Sequence, residues 1–238
     1  MTAQQVTQTN KKPTDTILVC WCDNGMVDGK FAEGLVYTLL TCEIPIVSAA
    51  RVQGNQIGRQ RQEALELWYE RTDMDWVLWV DSDIHLNNDA LNKIWAAADP
   101  INRPVVTGTY FISKENERSM MTPYPVVFNF TDSDYVVSYV HPLPKDAHVK
   151  VDAAGFGFVL MHRNAIKKMR EVHGNIPYFN EAGVGEQFVS EDIRFFHLMK
   201  DAGVPLYTHT GATVKHMKRF ALDVEYYKFF WNNQSEQS

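Results

Sequence analysis

Asp75-Trp76-Val77-Leu78-Trp79-Val80-Asp81-Ser82-Asp83-Ile84-His85 is the stretch whose reading decides the fold. Trp76 to Val80 is an unbroken apolar run rich in β-branched and aromatic side chains, the mark of a strand buried on both faces of a parallel sheet. It stops at two carboxylates, Asp81 and Asp83, at the carboxyl end of the strand, where open α/β sheets bind their ligands. Two anionic side chains so close repel each other unless water or a cation lies between them, so the pair points to a hard metal ion. An acidic strand-to-loop turn, with Ser82 as a local hydrogen-bonding residue, is the plainer alternative. Downstream, Asn87 or Asn88 is placed to cap a helix in which Leu91, Ile94, Trp95 and Ala98 recur at three- and four-residue steps, and Asp99-Pro100 ends it. The unit is strand, acidic loop, helix.

Two strand-helix units precede it. Ile17 to Trp21 reads as a buried strand running into the polar loop Asp23-Asn24-Gly25, and Phe31, Leu35 and Leu39 mark the inward face of the helix that follows. Asp23 reads equally as an Asx-turn residue and as an acceptor for a base or ribose. No Gly-x-Gly-x-x-Gly or P-loop pattern accompanies it. Ile44 to Ser48 is the second strand, and after the turn signal Gly54-Asn55 a helix carries Ala64, Leu65 and Trp68 inward. Arg59 and Arg61 fall on its first turn, where positive charge opposes the helix dipole; an anionic ligand would explain Arg59, and Arg61 reads as solvated.

A further strand, Val105 to Tyr110, follows the acidic unit, and alternating strands and helices predict a parallel, layered α/β sheet. The pattern then breaks. Val126 to Phe130 and Tyr135 to Val140, around the turn at Thr131 to Asp134, predict a hairpin insertion. Gly155 and Gly157 lead into a buried strand from Phe158 to Met161; they would let the backbone approach a ligand, or simply pack a tight turn. Asn164 opens a helix with Ile166 and Met169 inward. Residues 174 to 189 have few periodic apolar positions, as in a mobile loop over a site. Ser190 is placed to cap a helix with Glu191 and Asp192 in its first turn, Phe195, Phe196 and Met199 inward and Gly203 past its end. Two short strands, Leu206 to Thr208 and Ala212 to Val214, flank Gly211, and the run Lys215-His216-Met217-Lys218-Arg219 gathers positive charge that suits a diphosphate.

The whole chain bounds these readings. Its 238 residues, 45% hydrophobic and 22% charged, suit a soluble globular protein: one domain over 14–231, with a flexible leader at 1–13 and a flexible tail at 232–238. A net charge of −6 argues against a nucleic-acid partner. No apolar run is long enough to span a membrane and the start lacks a signal peptide's apolar core, so a cytoplasmic location is expected. Cys20, Cys22 and Cys42 form no metal-site spacing and read as reduced thiols.

Taken together, Asp81-Ser82-Asp83 as an Asp-x-Asp, Gly155-Phe156-Gly157 before a strand, Glu191-Asp192 at a helix start and Val214-Lys215-His216 near the end resemble the GT-A family of nucleotide-sugar-dependent glycosyltransferases, in particular compact viral and phage forms. The likeness runs over residues 15 to 220, in the family's order. It implies a mixed, mostly parallel central sheet flanked by helices, with a small β-hairpin insertion. It implies transfer of a sugar from a UDP- or GDP-sugar to a hydroxyl of a glycan or glycoprotein, in the host cytoplasm if the chain is viral. Mn²⁺, or Mg²⁺, would be held by Asp83 and His216, with Asp81 on the ribose or the metal and Lys215 or Lys218 on the diphosphate; an imidazole among the ligands favours Mn²⁺. Asp192, or Glu191, would be the general base if the anomeric configuration inverts, and would position the sugar or stabilise positive charge on it if configuration is retained; Asp152, Gly155 and Gly157 would face sugar or acceptor. A haloacid-dehalogenase-like phosphatase also carries Asp-x-Asp after a strand but wants Thr or Val where His85 stands. A nucleotidyltransferase and a non-catalytic sugar-nucleotide or glycan-binding module are the remaining alternatives.

Overall fold

In the computed structural model, which describes residues 10–12, 14–115, 121–131, 136–184, 187–218, 224 and 228, the chain is built around the strand read first. The first half is β1 (Ile17–Asp23), α1 (Gly29–Thr41), β2 (Ile46–Gln53), α2 (Ile57–Arg71), β3 (Trp76–Val80), β4 (Ile84–His85), α3 (Asn88–Ala97) and β5 (Val105–Thr109). Six strands come next, with no helix between them among the described residues: β6 (Phe111–Glu115), β7 (Met121–Pro125), β8 (Val127–Phe130), β9 (Val137–Tyr139), β10 (His148–Val151) and β11 (Ala153–Ala154). The remainder is β12 (Phe158–His162), α4 (Arg163–His173), β13 (Ala182–Val184), β14 (Gln187–Val189), α5 (Glu191–Asp201), β15 (Leu206–Thr213) and β16 (Lys215–His216).

Seven strands form the central sheet in the order β10-β15-β5-β12-β3-β1-β2. β1, β2, β3, β5 and β15 run one way; β12 and β10 run the other. This is the mixed, mostly parallel sheet expected, with one departure from a simple alternation: β12 lies antiparallel between β3 and β5. The cause is the route of the chain. A parallel return needs a crossover, usually helical, whereas the described residues of the 111–157 excursion form strands and loops and bring the chain back to the carboxyl edge it left. All five residues of β3 are buried, as an interior strand requires. The expected hairpin is present as β8 and β9, with Phe128 opposite Tyr139, and β11 extends it to three strands.

The helices follow their apolar stripes. Asn87 caps α3, its side chain accepting from the Ala90 N–H at 2.8 Å. On α1 the buried residues are Phe31, Gly34, Leu35 and Thr38, because 3.6 residues per turn carries the stripe to 38; Leu39, expected inward, is exposed. A Cβ on Gly34 would lie 2.9 Å from the Leu86 backbone, so glycine there lets α1 seat against β4. Phe156, Phe179, Phe195 and Phe196 pack with Trp79, and Phe179 and Phe195 stack at 4.5 Å. This cluster anchors the first turns of α5 against β3. It also pins Tyr178 and Phe179, both buried, so that the expected 174–189 loop is tied to the core at these two residues. The strands expected around Gly211 form one strand, β15.

Cys20, Cys22 and Cys42 are free thiols, and burial pushes the Cys22 thiol up to about 12. Among the described residues no helix is long and apolar enough to cross a membrane. Most of the expected leader, the tail, Arg219 and the turn residues Asp132 to Asp134 lie outside the described residues.

Candidate functional site

A cleft of about 440 Å³ opens at the carboxyl edge of the central sheet, in the size range of small-ligand sites. Asp81 and Asp83 reach it because β3 ends beneath it. Its far side is closed by β16, which pairs antiparallel with β4 so that Lys215 lies opposite His85 and His216 opposite Ile84. The Met217 N–H donates to the Asp83 carbonyl at 2.8 Å and completes the seam. Two segments far apart in the chain are thereby joined, and His216 Nε2 stands 3.1 Å from Asp83 Oδ2 while Lys218 Nζ stands 2.9 Å from the same oxygen. Burial alone would raise the Asp83 carboxyl, but hydrogen bonding to His216 and Lys218 holds it below the usual carboxylate range.

The tautomer of His216 is set from behind. Its Nδ1 lies 2.9 Å from the Phe111 carbonyl, which can only accept, so Nδ1 carries a proton and Nε2 faces the carboxylate. A bare Nε2 lone pair opposite Asp83 would be repulsive. The Lys218 ammonium, on the same Asp83 oxygen, supplies positive charge at this junction. A metal-ligating histidine commonly gives one ring N–H to a backbone carbonyl, as Nδ1 does here, which leaves the other nitrogen to face the metal. Among the described residues, however, no group of three or more His, Cys, Asp and Glu side chains could hold a metal by itself. Asp83 and His216 are two side chains of metal-ligating type side by side, and a cation bound there would need further ligands from outside the protein.

Asp81, expected on the ribose or metal, faces Arg61, whose Nη2 is 3.1 Å from Asp81 Oδ1. The other guanidinium nitrogen of Arg61 donates to Glu191 Oε1 at 2.5 Å. Arg61 is therefore a buried bridge and not the solvated residue expected, and it lies over the Phe156 ring at 5.2 Å. Burial would lower its affinity for a proton, but Asp81, Glu191 and Asp192 outweigh that and keep it charged. Burial, opposed by Arg61 and aided by Asp192, raises the Glu191 carboxyl above its ordinary value. The signal for Arg61 is its spacing: residues 61, 64, 65 and 68 form one helical stripe, and all four are buried. Arg59, the expected ligand-facing residue, is exposed on α2 and does not line the cleft.

Asp192 lines the cleft at the start of α5. Ser190 occupies the cap position, but its hydroxyl donates to Asp192 Oδ1 instead of capping the helix. The Ile193 N–H donates to that oxygen as well, at 2.8 Å. Both bonds fall on Oδ1.

Gly155 and Gly157 make room for a side chain. A Cβ on Gly155 would lie 2.1 Å from the Tyr110 hydroxyl oxygen, and one on Gly157 would lie 2.8 Å from the Tyr110 ring. The Gly157 N–H and the Tyr110 hydroxyl are 3.1 Å apart, and the same ring meets His216 edge-on at 5.2 Å. The space expected for sugar or acceptor is thus occupied by Tyr110, which backs His216 and was not singled out in the sequence. Burial, with Asp81 adding to it, raises the Tyr110 phenol so that it stays protonated.

Three other predicted residues sit elsewhere. Asp23 is closed off by bonds from Arg51 at 2.6 Å, from the Gly25 N–H at 2.7 Å and from the Trp21 indole at 3.1 Å. It is the Asx-turn residue of the two readings, in an ion pair that lowers its carboxyl. Asp152 is held by the Phe130 N–H at 3.0 Å and by Lys200 at 2.9 Å, away from the cleft. Lys215 alternates with His216 on β16 and lines a separate groove with Asn87 and Phe111; Lys218 is the lysine in the cleft. An apolar part of the lining was not expected: Val126, Phe128, Val137 and Tyr139, of the three-stranded sheet and its approach, line the same cleft as the charged residues.

No protein-family model and no curated protein matches the chain. Among solved structures it is similar to A197 from STIV, with 17% identity, 86% of each chain covered and a TM-score of 0.53. It is also similar to CMP:2-keto-3-deoxy-manno-octonic acid synthetase complexed with CTP, with 12% identity, 94% of this chain and 100% of that chain covered and a TM-score of 0.45. GalNAc-T7 with UDP, GalNAc and Mn²⁺ gives 8% identity, 88% of this chain and 45% of that chain, and a TM-score of 0.47. The likeness to A197 is one of fold.

Proposed function

We propose that the chain is a divalent-metal-dependent glycosyltransferase that moves a sugar from a nucleoside-diphosphate sugar, UDP- or GDP-linked, to an acceptor hydroxyl. The observation that carries the reading is the meeting of Asp83 with His216 and Lys218 at 3.1 and 2.9 Å, at the carboxyl end of a buried strand. Asp83 and His216 would hold Mn²⁺ or Mg²⁺, which when bound to a diphosphate offsets the negative charge that grows on the leaving group. Lys218 would move from Asp83 to the phosphates and supplement that charge. Arg61, locked to Glu191, keeps Asp81 turned to the cleft in one orientation.

The acceptor oxygen attacks the anomeric carbon and forms the new C–O bond. The bond from that carbon to the diphosphate oxygen breaks, and its electron pair leaves with the nucleoside diphosphate. Asp192 takes the acceptor proton on Oδ2, held in place by the Ser190 and Ile193 donors on Oδ1. Glu191, committed to Arg61, is the positioning neighbour and not the base.

The test is a thermal-shift screen of UDP- and GDP-sugars with and without Mn²⁺, followed by product analysis of each hit. A ligand that binds only the folded chain raises its melting temperature. The expected result is a metal-dependent shift, release of nucleoside diphosphate in the presence of acceptor, and loss of transfer with retention of binding in Asp192→Asn. Release of pyrophosphate would assign the site to nucleotidyl transfer, and binding without turnover to a sugar-nucleotide-binding module.

A further inference from the structure

The cleft has two chemically distinct sides. Its charged residues all come from α2, the β3–β4 turn, α5 and the β16 end of the chain. The side formed by the small β11-β8-β9 sheet carries Val126, Phe128, Val137 and Tyr139, with no charged residue among them. Its backbone offers little to a hydroxyl-rich ligand. β8 is the middle strand, bonded to β11 on one edge and to β9 on the other, so its N–H and C=O groups are engaged on both edges. Apart from the Tyr139 hydroxyl these four side chains offer no donor or acceptor, so a group laid against the wall gains by burying apolar surface. The wall is also rigid: the Tyr139 ring stacks on Tyr124 at 4.8 Å and leans on Phe128 at 5.0 Å. It stands beside the proposed base, because α5 packs on the small sheet through Phe130 against His197 and Lys200 against Asp152, and Ile193, the residue after Asp192, lines the same cleft.

We infer that the acceptor is a hydroxyl compound carrying an aryl or alkyl aglycone, and that Phe128 and Tyr139 bind that apolar group while its hydroxyl lies at Asp192. The inference rests on the transferase reading above and deepens it. Burial of a ring-sized apolar surface corresponds to a gain in affinity of about tenfold or more.

The experiment measures binding of methyl, hexyl and phenyl glycosides of the same sugars to the full chain with Mn²⁺ and UDP, and again with GDP. The expected result is that phenyl or hexyl glycosides bind at least about tenfold tighter than their methyl counterparts, an advantage lost in Tyr139→Ser and Phe128→Ser but kept in Tyr139→Phe. The hexyl and phenyl arms distinguish an alkyl from an aryl source. Equal affinities, no binding by any glycoside, or an advantage indifferent to Phe128 and Tyr139 would overturn the inference. The nucleotide-sugar screen is read separately, so positive donor binding beside equal glycoside affinities removes this acceptor and leaves the transferase. The wild-type comparison of glycosides stands even if a substitution fails to fold.

Discussion

Replacing Arg61 with methionine perturbs the most demanding electrostatic arrangement in the molecule. Its side chain is 7% exposed, between Glu191 at 10% and Asp81 at 29%. Arg61→Met removes the cation and leaves Glu191 buried without a counter-charge, while Asp81 still reaches water. Breaking a buried pair from one side costs about 3–5 kcal/mol. For a chain of this size each kcal/mol moves the melting temperature by about 2–4 °C, so a fall of roughly 6–20 °C is expected. The double variant Arg61→Met/Glu191→Met exchanges the pair for apolar side chains beside Phe156 and should recover most of that loss, because an apolar replacement of similar volume removes the uncompensated charge. Urea unfolding of the wild type, both single variants and the double variant gives the coupling directly. The reasoning is refuted if Arg61→Met lies within about 1 kcal/mol of wild type, or if the double variant is as unstable as the sum of the singles.

Three further outcomes follow from particular contacts. Gly155→Ala should destabilise by about 1–3 kcal/mol, because its Cβ would fall 2.1 Å from the Tyr110 hydroxyl oxygen, and Tyr110→Phe in the same chain should relieve part of the loss; equal stability of Gly155→Ala and wild type in urea contradicts this. Asp99 accepts from the N–H groups of Asn10, Ile101 and Asn102. Burial opposes these bonds, yet they hold its carboxyl down at about 2, against 3.8 when free. Because the folded value is the lower one, this stabilisation, on the order of 2 kcal/mol, is complete above the unfolded value and is lost as pH falls from about 4 to about 2. Urea midpoints measured over that window should therefore drop more steeply for the wild type than for Asp99→Asn, and parallel profiles would remove Asp99 as the source. Asp192→Asn should keep nucleotide-sugar binding and lose at least about a hundredfold in transfer rate, whereas undiminished transfer eliminates it as the base.

What local sequence carries is what depends on local sequence. Trp76 to Val80 is legible because a strand buried on both faces must be apolar throughout, and the acidic stop after it marks the ligand edge of the sheet. The direction of β12 is not legible, since its own residues would suit either orientation and only the route of the chain between β5 and β12 decides it. Arg61 was readable from its 61-64-65-68 stripe, but its worth depends on Glu191, 130 residues away, and a lone arginine on a helix is ordinarily solvated. Gly155 and Gly157 announce a close approach without saying what approaches; Tyr110 is supplied by the junction between β5 and β6, which shares no pattern with them. The junction of Asp83 with His216 depends on two strands of two residues each, too short for any periodicity, and only the likeness to the GT-A family put the two side chains together before the fold was known.

The central claim is that Asp83 and His216 share one cation with a nucleoside diphosphate. Electron paramagnetic resonance of free Mn²⁺, titrated with the protein in the presence and absence of UDP or GDP, tests it most directly. The account predicts that the wild type removes Mn²⁺ from solution only when a nucleoside diphosphate is present, and that Asp83→Ala and His216→Ala each abolish this uptake. Uptake by both variants equal to that of the wild type would contradict it.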